Sequence, residues 1–144
     1  NPYEGLSQVI TTPHIGAATQ EAQPRIARYV GQTTRLFNAS GTVRSCVYAP
    51  GQVIGVETDR PRYVLAVTHS DARGTKKAIS DSIYDAGLNY LESSHRDFVE
   101  YGFAYDVSAM DAPLTEEQLL GLIERAQSLS GEEDAIRSIR QIKL

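Results

Sequence analysis

His14 is the residue of this chain whose type and setting best suit chemistry. It lies in the string Thr-Pro-His-Ile-Gly at residues 12–16, just after the apolar pair Val9 and Ile10, which predicts a buried strand over residues 8–12. Its imidazole is therefore expected at a strand end, where α/β enzymes place their chemistry. Imidazole is well matched to proton transfer near neutral pH. The alternative is a histidine that only caps a strand before a turn.

Metal chemistry is not expected from this sequence. His14, His69, His95 and Cys46 lack the spacing that is typical of metal ligands. The single cysteine excludes an internal disulfide, and we expect Cys46 to be a buried, unreactive thiol in a reducing compartment.

Composition sets broad limits on the class of protein. The chain has 144 residues, is 41% hydrophobic and has no apolar run as long as a membrane span, which predicts a soluble, cytoplasmic protein with one modest core. The net charge of −4 arises mainly after Pro61 and no basic stripe is present, which argues against a nucleic-acid partner. The first residues do not resemble a signal peptide, and because the sequence lacks an initial methionine we expect a fragment or a processed product.

The elements that must position these residues fall into three predicted stretches. Residues 1–40 predict a loop, the strand at 8–12 and a helix capped by Thr19, whose apolar face contains Ile26, Val30 and Phe37. Residues 41–61 are rich in glycine and proline and predict a linker. Residues 62–144 predict a separate domain.

That domain has a clear order of elements. Strands are predicted at 62–69, 88–94, 99–108 and 136–144, and helices at 74–86 and 116–129, the second opening with the capping box Thr115-Glu116-Glu117-Gln118. The first strand is apolar on both faces and is expected to be central, whereas Ile139 breaks the alternation of the last strand and suggests a bulge or an edge. The order βαββαβ predicts an α+β, ferredoxin-like fold with one antiparallel sheet and both helices on one face.

Residues 9–23, Val-Ile-Thr-Thr-Pro-His-Ile-Gly-Ala-Ala-Thr-Gln-Glu-Ala-Gln, resemble the catalytic-histidine segment of the D-2-hydroxyacid dehydrogenases. The resemblance implies that His14 exchanges a proton with the substrate while a hydride passes to or from NAD, and that Gly16 and Ala17 lie near the cofactor. The orienting carboxylate and the substrate-binding arginine of that family precede this segment. We therefore expect a C-terminal part of an enzyme of serine biosynthesis that is inactive on its own, and no Gly-x-Gly-x-x-Gly string occurs within it.

The predicted βαββαβ domain resembles the ACT regulatory domain found at the C-terminus of many of these dehydrogenases. The resemblance implies a homodimer joined through sheet edges and an amino-acid effector such as serine, bound by His69, Asp71, Gly74 and Asn89. Asp71 departs from the family pattern because it places a carboxylate where a neutral amide is usual, and Arg73 replaces a proline. Lys76 or Lys77 could attract an anion there, although charges on a solvated face are the more common reading.

A second function from a different class stays open at this point. The chain is either the C-terminal part of an NAD-dependent dehydrogenase or a module that binds an amino acid or dimerises without chemistry of its own.

Overall fold

The computed structural model describes residues 2–47, 51–55 and 62–144. The chain forms two compact units, Asn1–Gln32 and Thr33–Leu144. The division between them falls within the first helix, α1 (Ala22–Ser40). The predicted boundary at Pro61 lies outside the described residues, and the domain limits drawn from the sequence stay predictions.

The first unit consists of turns followed by the start of α1. The strand predicted at residues 8–12 is wrong: these residues adopt no strand, Val9 is 37% exposed and Ile10 is 90% exposed. A strand needs a neighbour for its backbone groups, and no described residue pairs with this segment. The predicted cap does form, because Thr19 Oγ1 accepts a hydrogen bond from the Ala22 backbone N–H at 3.1 Å.

The second unit has the predicted βαββαβ order. Its elements are β1 (Tyr63–Ser70), α2 (Thr75–Asp85), β2 (Tyr90–Phe98), a 3-10 turn (Val99–Tyr101), β3 (Phe103–Met110), α3 (Glu116–Ser130) and β4 (Ile136–Lys143). The sheet order is β2-β3-β1-β4 with every pairing antiparallel. The prediction of a central β1 is confirmed, and β4 is an edge strand as its pattern suggested.

One face of the sheet packs against both helices. Leu65 and Val67 of β1 contact a buried cluster that includes Ile79 and Ile83 of α2 and Leu122 of α3. The spacing of four residues between Ile79 and Ile83 places both on one face of α2. The capping box of α3 is confirmed, with Thr115 and Gln118 satisfying each other's backbone N–H groups.

The opposite face, called here the outer face, is covered by the segment that the sequence assigned to a linker. Val43 and Gln52 pair through an isolated antiparallel bridge, and Ile54 is 1% exposed. Ile54 and Val43 pack with residues of β1 and β3 on this face, among them Val64, Ala66, Tyr105 and Val107. The described parts of residues 41–55 therefore complete a second hydrophobic core.

One local prediction about the strands is wrong. The alternation of residues from Val99 predicts a strand, but Val99–Tyr101 form a 3-10 turn and β3 begins at Phe103. Gly102 has a φ of 61°, which glycine adopts without strain, and this lets Phe98 and Phe103 pair across a tight connection. The prediction of a bulge or an edge in β4 is confirmed, because the register also shifts between the pairs Thr68–Ser138 and His69–Ile136 and leaves one extra residue in β4.

Candidate functional site

The predicted catalytic segment forms an exposed turn in this chain. His14, Gly16 and Ala17 are all exposed, and the turn is closed by a hydrogen bond of 2.8 Å from the Ile15 N–H to the Pro13 carbonyl. A reaction that moves a hydride needs a water-excluded cavity. The segment thus presents an imidazole in a defined turn without a complete pocket around it.

The predicted effector residues divide between two ends of the sheet. His69 ends β1, and Asp71 and Gly74 follow it before α2. Asn89 precedes Tyr90, which pairs with Met110, and Met110 pairs in turn with Tyr63 at the start of β1. A single chain therefore brings His69, Asp71 and Gly74 together at one end of the sheet. Asn89 lies at the opposite end of the sheet, where its backbone N–H donates a hydrogen bond to Asp111 Oδ1 at 3.0 Å.

Gly74 has a packing role that the sequence did not reveal. Its φ is 108°, and a Cβ added there would lie 2.8 Å from the carbonyl oxygen of Leu129. Any larger residue would collide with the backbone of α3 and would also be strained. The absence of a side chain at Gly74 therefore allows the backbone of α3 to pack closely against this position.

The most concentrated polar chemistry in the second unit surrounds Asp106, a residue that sequence reasoning missed. Asp106 lies at the middle of β3 on the helix-covered face and is fully buried. Its carboxylate forms a direct ion pair with Lys76 of α2 and accepts a hydrogen bond from Ser108 at 2.7 Å. His95 of β2 lies opposite it, with Nδ1 3.4 Å from Asp106 Oδ2. Lys76 is therefore not an ordinary surface charge, whereas Lys77 pairs with Asp81 along the same helix.

Burial and neighbouring charges act on Asp106 in opposite directions. Burial would raise the pKa of the Asp106 carboxyl, but the interactions with His95 and Lys76 outweigh it and hold that pKa below its ordinary value. Asp106 is thus kept as an anion by its ion pair with Lys76 and its contacts with His95 and Ser108.

His69 and His95 form a stacked pair next to this anion. Their ring centroids lie 5.3 Å apart with an angle of 25° between the planes. Burial is the main cause of a lowered pKa for His69. The adjacent Asp106 carboxylate is the main cause of a raised pKa for His95, and Asp97, whose Oδ1 lies 2.7 Å from His95 Nε2, adds to it. Relative to a free imidazole, the neutral form of His69 and the protonated form of His95 are therefore each favoured.

The hydrogen bonds of His69 define what it can bind. Its Nδ1 lies 2.7 Å from the carbonyl oxygen of Ser70, and because a carbonyl only accepts, Nδ1 carries the proton. Nε2 of the neutral ring is then an acceptor, and among the described residues it has no hydrogen-bond partner although His69 is 1% exposed. A ligand that satisfied this nitrogen would present a hydroxyl or an ammonium group to it.

We predict that the two histidines give opposite pH dependences of stability. His95, with a raised pKa, contributes stability that is fully present below pH 6.5 and is lost as the pH rises through its folded-state pKa. His69, with a lowered pKa, contributes stability that is present above pH 6.5 and is lost as the pH falls through its folded-state pKa. The groups that face this pair are Asp97, Asp106 and Lys76.

Urea unfolding of the wild type, His69→Gln and His95→Gln between pH 5 and pH 9 measures this difference. The destabilisation by His95→Gln should grow towards acid, and that by His69→Gln should grow towards alkali. Parallel curves for the two variants would contradict the assignment.

The described residues contain no group of three or more His, Cys, Asp or Glu side chains arranged to hold a metal ion. Within the same ranges, each helix is too short or too polar for a membrane span. The prediction of a buried Cys46 is wrong, because this residue is exposed.

The arrangement of strands and helices places the second unit in the α+β, ferredoxin-like class, consistent with an ACT-like fold. In sequence, the chain is similar over 57 residues to the D-3-phosphoglycerate dehydrogenases of Mycobacterium leprae (strain TN), at 42% identity, and Mycobacterium tuberculosis (strain H37Rv), at 40% identity. The match covers 40% of this chain and 11% of each relative. The chain therefore corresponds to a small part of the length of the curated relatives it matches.

Structural comparison adds a weaker likeness. A formyltetrahydrofolate deformylase from Pseudomonas putida KT2440 aligns with a TM-score of 0.47 and 14% identity, over 56% of this chain and 28% of that one. This likeness is too low to bear on function. No protein-family profile matches the chain.

Proposed function

We propose that this chain is the C-terminal part of an NAD-dependent D-3-phosphoglycerate dehydrogenase, with His14 as the catalytic acid–base and the second unit as an effector-binding, dimerising ACT-like domain. The observation that carries the proposal is the similarity over 57 residues to dehydrogenases of that name. The βαββαβ order of the second unit supports the regulatory part.

The described residues of this chain do not by themselves fit NAD. Gly16 has no atom within 4 Å of the position its Cβ would take, so the turn forms no cradle around it, and the sequence lacks a dinucleotide-binding glycine string. In the proposed enzyme the cofactor is therefore bound mainly outside this chain, and the part played here by His14 is to take or return the proton of the substrate hydroxyl.

The effector part of the proposal can be made chemically specific. His69 Nε2 is an unsatisfied acceptor, and Asp71, two residues later, is an exposed carboxylate. Both groups favour a ligand that leads with a hydrogen-bond donor or a positive charge. An amino acid bound there is expected to direct its ammonium group towards Asp71, because its own carboxylate would be repelled.

Titration calorimetry with L-serine on the wild type and on Asp71→Asn tests this orientation. The Asn variant should bind about tenfold more weakly, the usual effect of losing one charge-assisted hydrogen bond. Arg73→Gln, which changes a neighbouring exposed charge, is the control and should have a smaller effect. Equal affinity for wild type and Asp71→Asn, or tighter wild-type binding of a carboxylic acid that lacks an amine, would reject the orientation.

The proposed dimer is based on two surfaces that are suited to contact with a second copy of the chain. The described sheet has two edge strands, β2 and β4, and edge strands pair readily with a second copy. In the first unit, α1 exposes Ile26 and Val30 at 43% and 55%. Sedimentation equilibrium should show a concentration-dependent dimer of the 15.8 kDa chain.

A double variant separates the two surfaces. If the sheet edge is sufficient, the dimer survives Ile26→Glu with Val30→Glu, and if the helix face is required, the dimer dissociates. A monomer for the wild type at all concentrations would reject the dimer.

The alternative of a non-catalytic module is favoured by one observation, the independent cores on both faces of the second unit. The two functions differ in the role of His14, since only the enzyme requires its imidazole.

A further inference from the structure

We infer that α1 contains a hinge at residues 31–32, called here the hinge segment. These two residues, Gly31 and Gln32, are the last of the first compact unit, and the second unit begins at Thr33. The helix nevertheless continues through them without a break as far as Ser40. The hinge is therefore located inside a helix, at the position where the contacts of the chain divide.

The half of α1 after the hinge segment is anchored to the second unit at several points. Thr33 Oγ1 accepts a hydrogen bond from Arg44 Nε at 3.3 Å. Further along the helix, the Arg140 guanidinium of β4 donates to the carbonyl oxygens of Phe37 and Asn38, at 3.2 Å and 3.0 Å. The same guanidinium lies 5.1 Å from the centroid of the Phe37 ring, within the range of a cation–π contact. This half of the helix therefore stays fixed to the sheet when α1 bends.

The half of α1 before the hinge segment is held at its opposite end. Residues 23–30 are all exposed in this chain. The start of the helix is fixed by the preceding turn, where Thr19 Oγ1 accepts from the Ala22 N–H at 3.1 Å. The side-chain amide of Gln23 also donates to the Ala17 carbonyl at 2.5 Å. Because the two ends of α1 are held by different parts of the chain, a change of direction has to occur within the helix.

Gly31 is the residue best suited to such a change. Apart from proline, glycine is the least favourable residue of a helix interior, because its backbone is the most flexible when it is not helical. Packing does not explain its presence, since a Cβ added at Gly31 would have no atom of the described residues within 4 Å. Its φ is not in the left-handed region either, in contrast to that of Gly74. Gly31 therefore weakens α1 locally without making a close contact possible.

A bend at the hinge segment disturbs few interactions. It changes the backbone hydrogen bonds that link residues four apart across residues 31–32, and it leaves the contacts of Thr33, Phe37 and Asn38 with the second unit intact. Hinges of enzymes are typically a few residues that absorb a change of backbone angles while packed elements move as bodies. The bend would move the exposed turn that contains His14 as one body. This hinge is expected whether or not the chain is part of a dehydrogenase.

Distances along the helix test the hinge, and α3 provides a matched control because its interior also contains an exposed glycine with open space around it, Gly121. Spin labels are attached to Arg28→Cys with Ala39→Cys in α1, or to Glu117→Cys with Ser128→Cys in α3. The single native cysteine is replaced by serine in every variant. The two positions of each pair lie about 16 Å apart in a straight helix, at about 1.5 Å per residue. Pulsed electron paramagnetic resonance measures the distribution of each distance.

The α1 pair should give a distribution at least about twice as wide as the α3 pair, because an unkinked, packed helix curves only gently. Gly31→Ala should narrow the α1 distribution towards that of α3, since alanine favours the helical backbone about fivefold more strongly than glycine does. Gly121→Ala should leave the α3 distribution unchanged. Equal widths for the two pairs, or an α1 distribution that Gly31→Ala does not narrow, would overturn the inference.

Far-UV circular dichroism separates a hinge from an unfolded first half of α1. A hinge preserves the helix on both sides, so the wild type and Gly31→Ala should have the same helical signal. A clear gain of helical signal in Gly31→Ala would show instead that residues 22–30 are unfolded in the wild type, and this result would also overturn the inference.

Discussion

Replacing Asp106 with alanine is expected to lower the free energy of unfolding by about 1.5–3 kcal/mol, the usual cost of removing hydrogen bonds to a charged group, because the side chain of Lys76 is 40% exposed and water can solvate its charge. The reason is that Lys76 would lose its ion-pair partner and His95 would lose the carboxylate that raises its pKa. Ser108 would also lose the acceptor of its hydrogen bond. Urea unfolding followed by circular dichroism at pH 7 measures the change.

A control from the same cluster makes this test selective. Asp97 contacts His95 but its side chain is 49% exposed, so Asp97→Ala should cost about 1 kcal/mol or less. The double replacement Asp106→Leu with Lys76→Met removes both charges of the ion pair and should restore much of the stability that Asp106→Ala loses. If Asp106→Ala proved as mild as Asp97→Ala, the buried anion would not be a main determinant of stability.

The second large effect concerns the proposed enzyme. In the full-length protein, His14→Ala should lower kcat about 10²- to 10⁴-fold, the usual contribution of a positioned acid–base group. The purified chain of 144 residues should itself be inactive, because the described residues do not form a cofactor site. NADH formation from 3-phosphoglycerate measures both.

Gln20→Ala is the matched control for His14, since Gln20 is exposed on the same segment. It should leave kcat unchanged within about twofold, as expected for a surface substitution. Activity of the isolated chain, or a full-length His14→Ala variant as active as Gln20→Ala, would refute the proposed catalytic role and favour the non-catalytic module.

The sequence predicted the βαββαβ order well because each element has a strong local signal. The capping box at Thr115 and the apolar stripe of α2 both depend on residues within one or two turns of each other. The strand at 8–12 failed for the opposite reason: an apolar run specifies a strand only if another strand pairs with it. Nothing within residues 8–12 carries that information.

The polar cluster was missed because its members are distant along the chain. Asp106 occupies a polar position of an alternating strand, which is typical of a solvent-facing residue, and His95 and Lys76 become its neighbours only through the register of β2 and the placement of α2. The contacts that the described residues of the predicted linker make with the sheet are also long-range. Glycine and proline predict an irregular backbone, and that is what forms, but composition does not show that Ile54 is buried against the sheet.

The cover that residues 41–47 and 51–55 provide for the outer face determines where this chain can be truncated. A truncated chain that began at residue 62 would contain every strand and helix of the ferredoxin-like fold. It would nevertheless expose Val64, Ala66 and Val107 to water. A bare apolar face of this kind promotes aggregation. A truncated chain that began at Thr33 would retain the residues that cover the outer face and the cation–π contact between Arg140 and Phe37. The transferable module of this protein thus begins inside a helix, two turns before that helix ends.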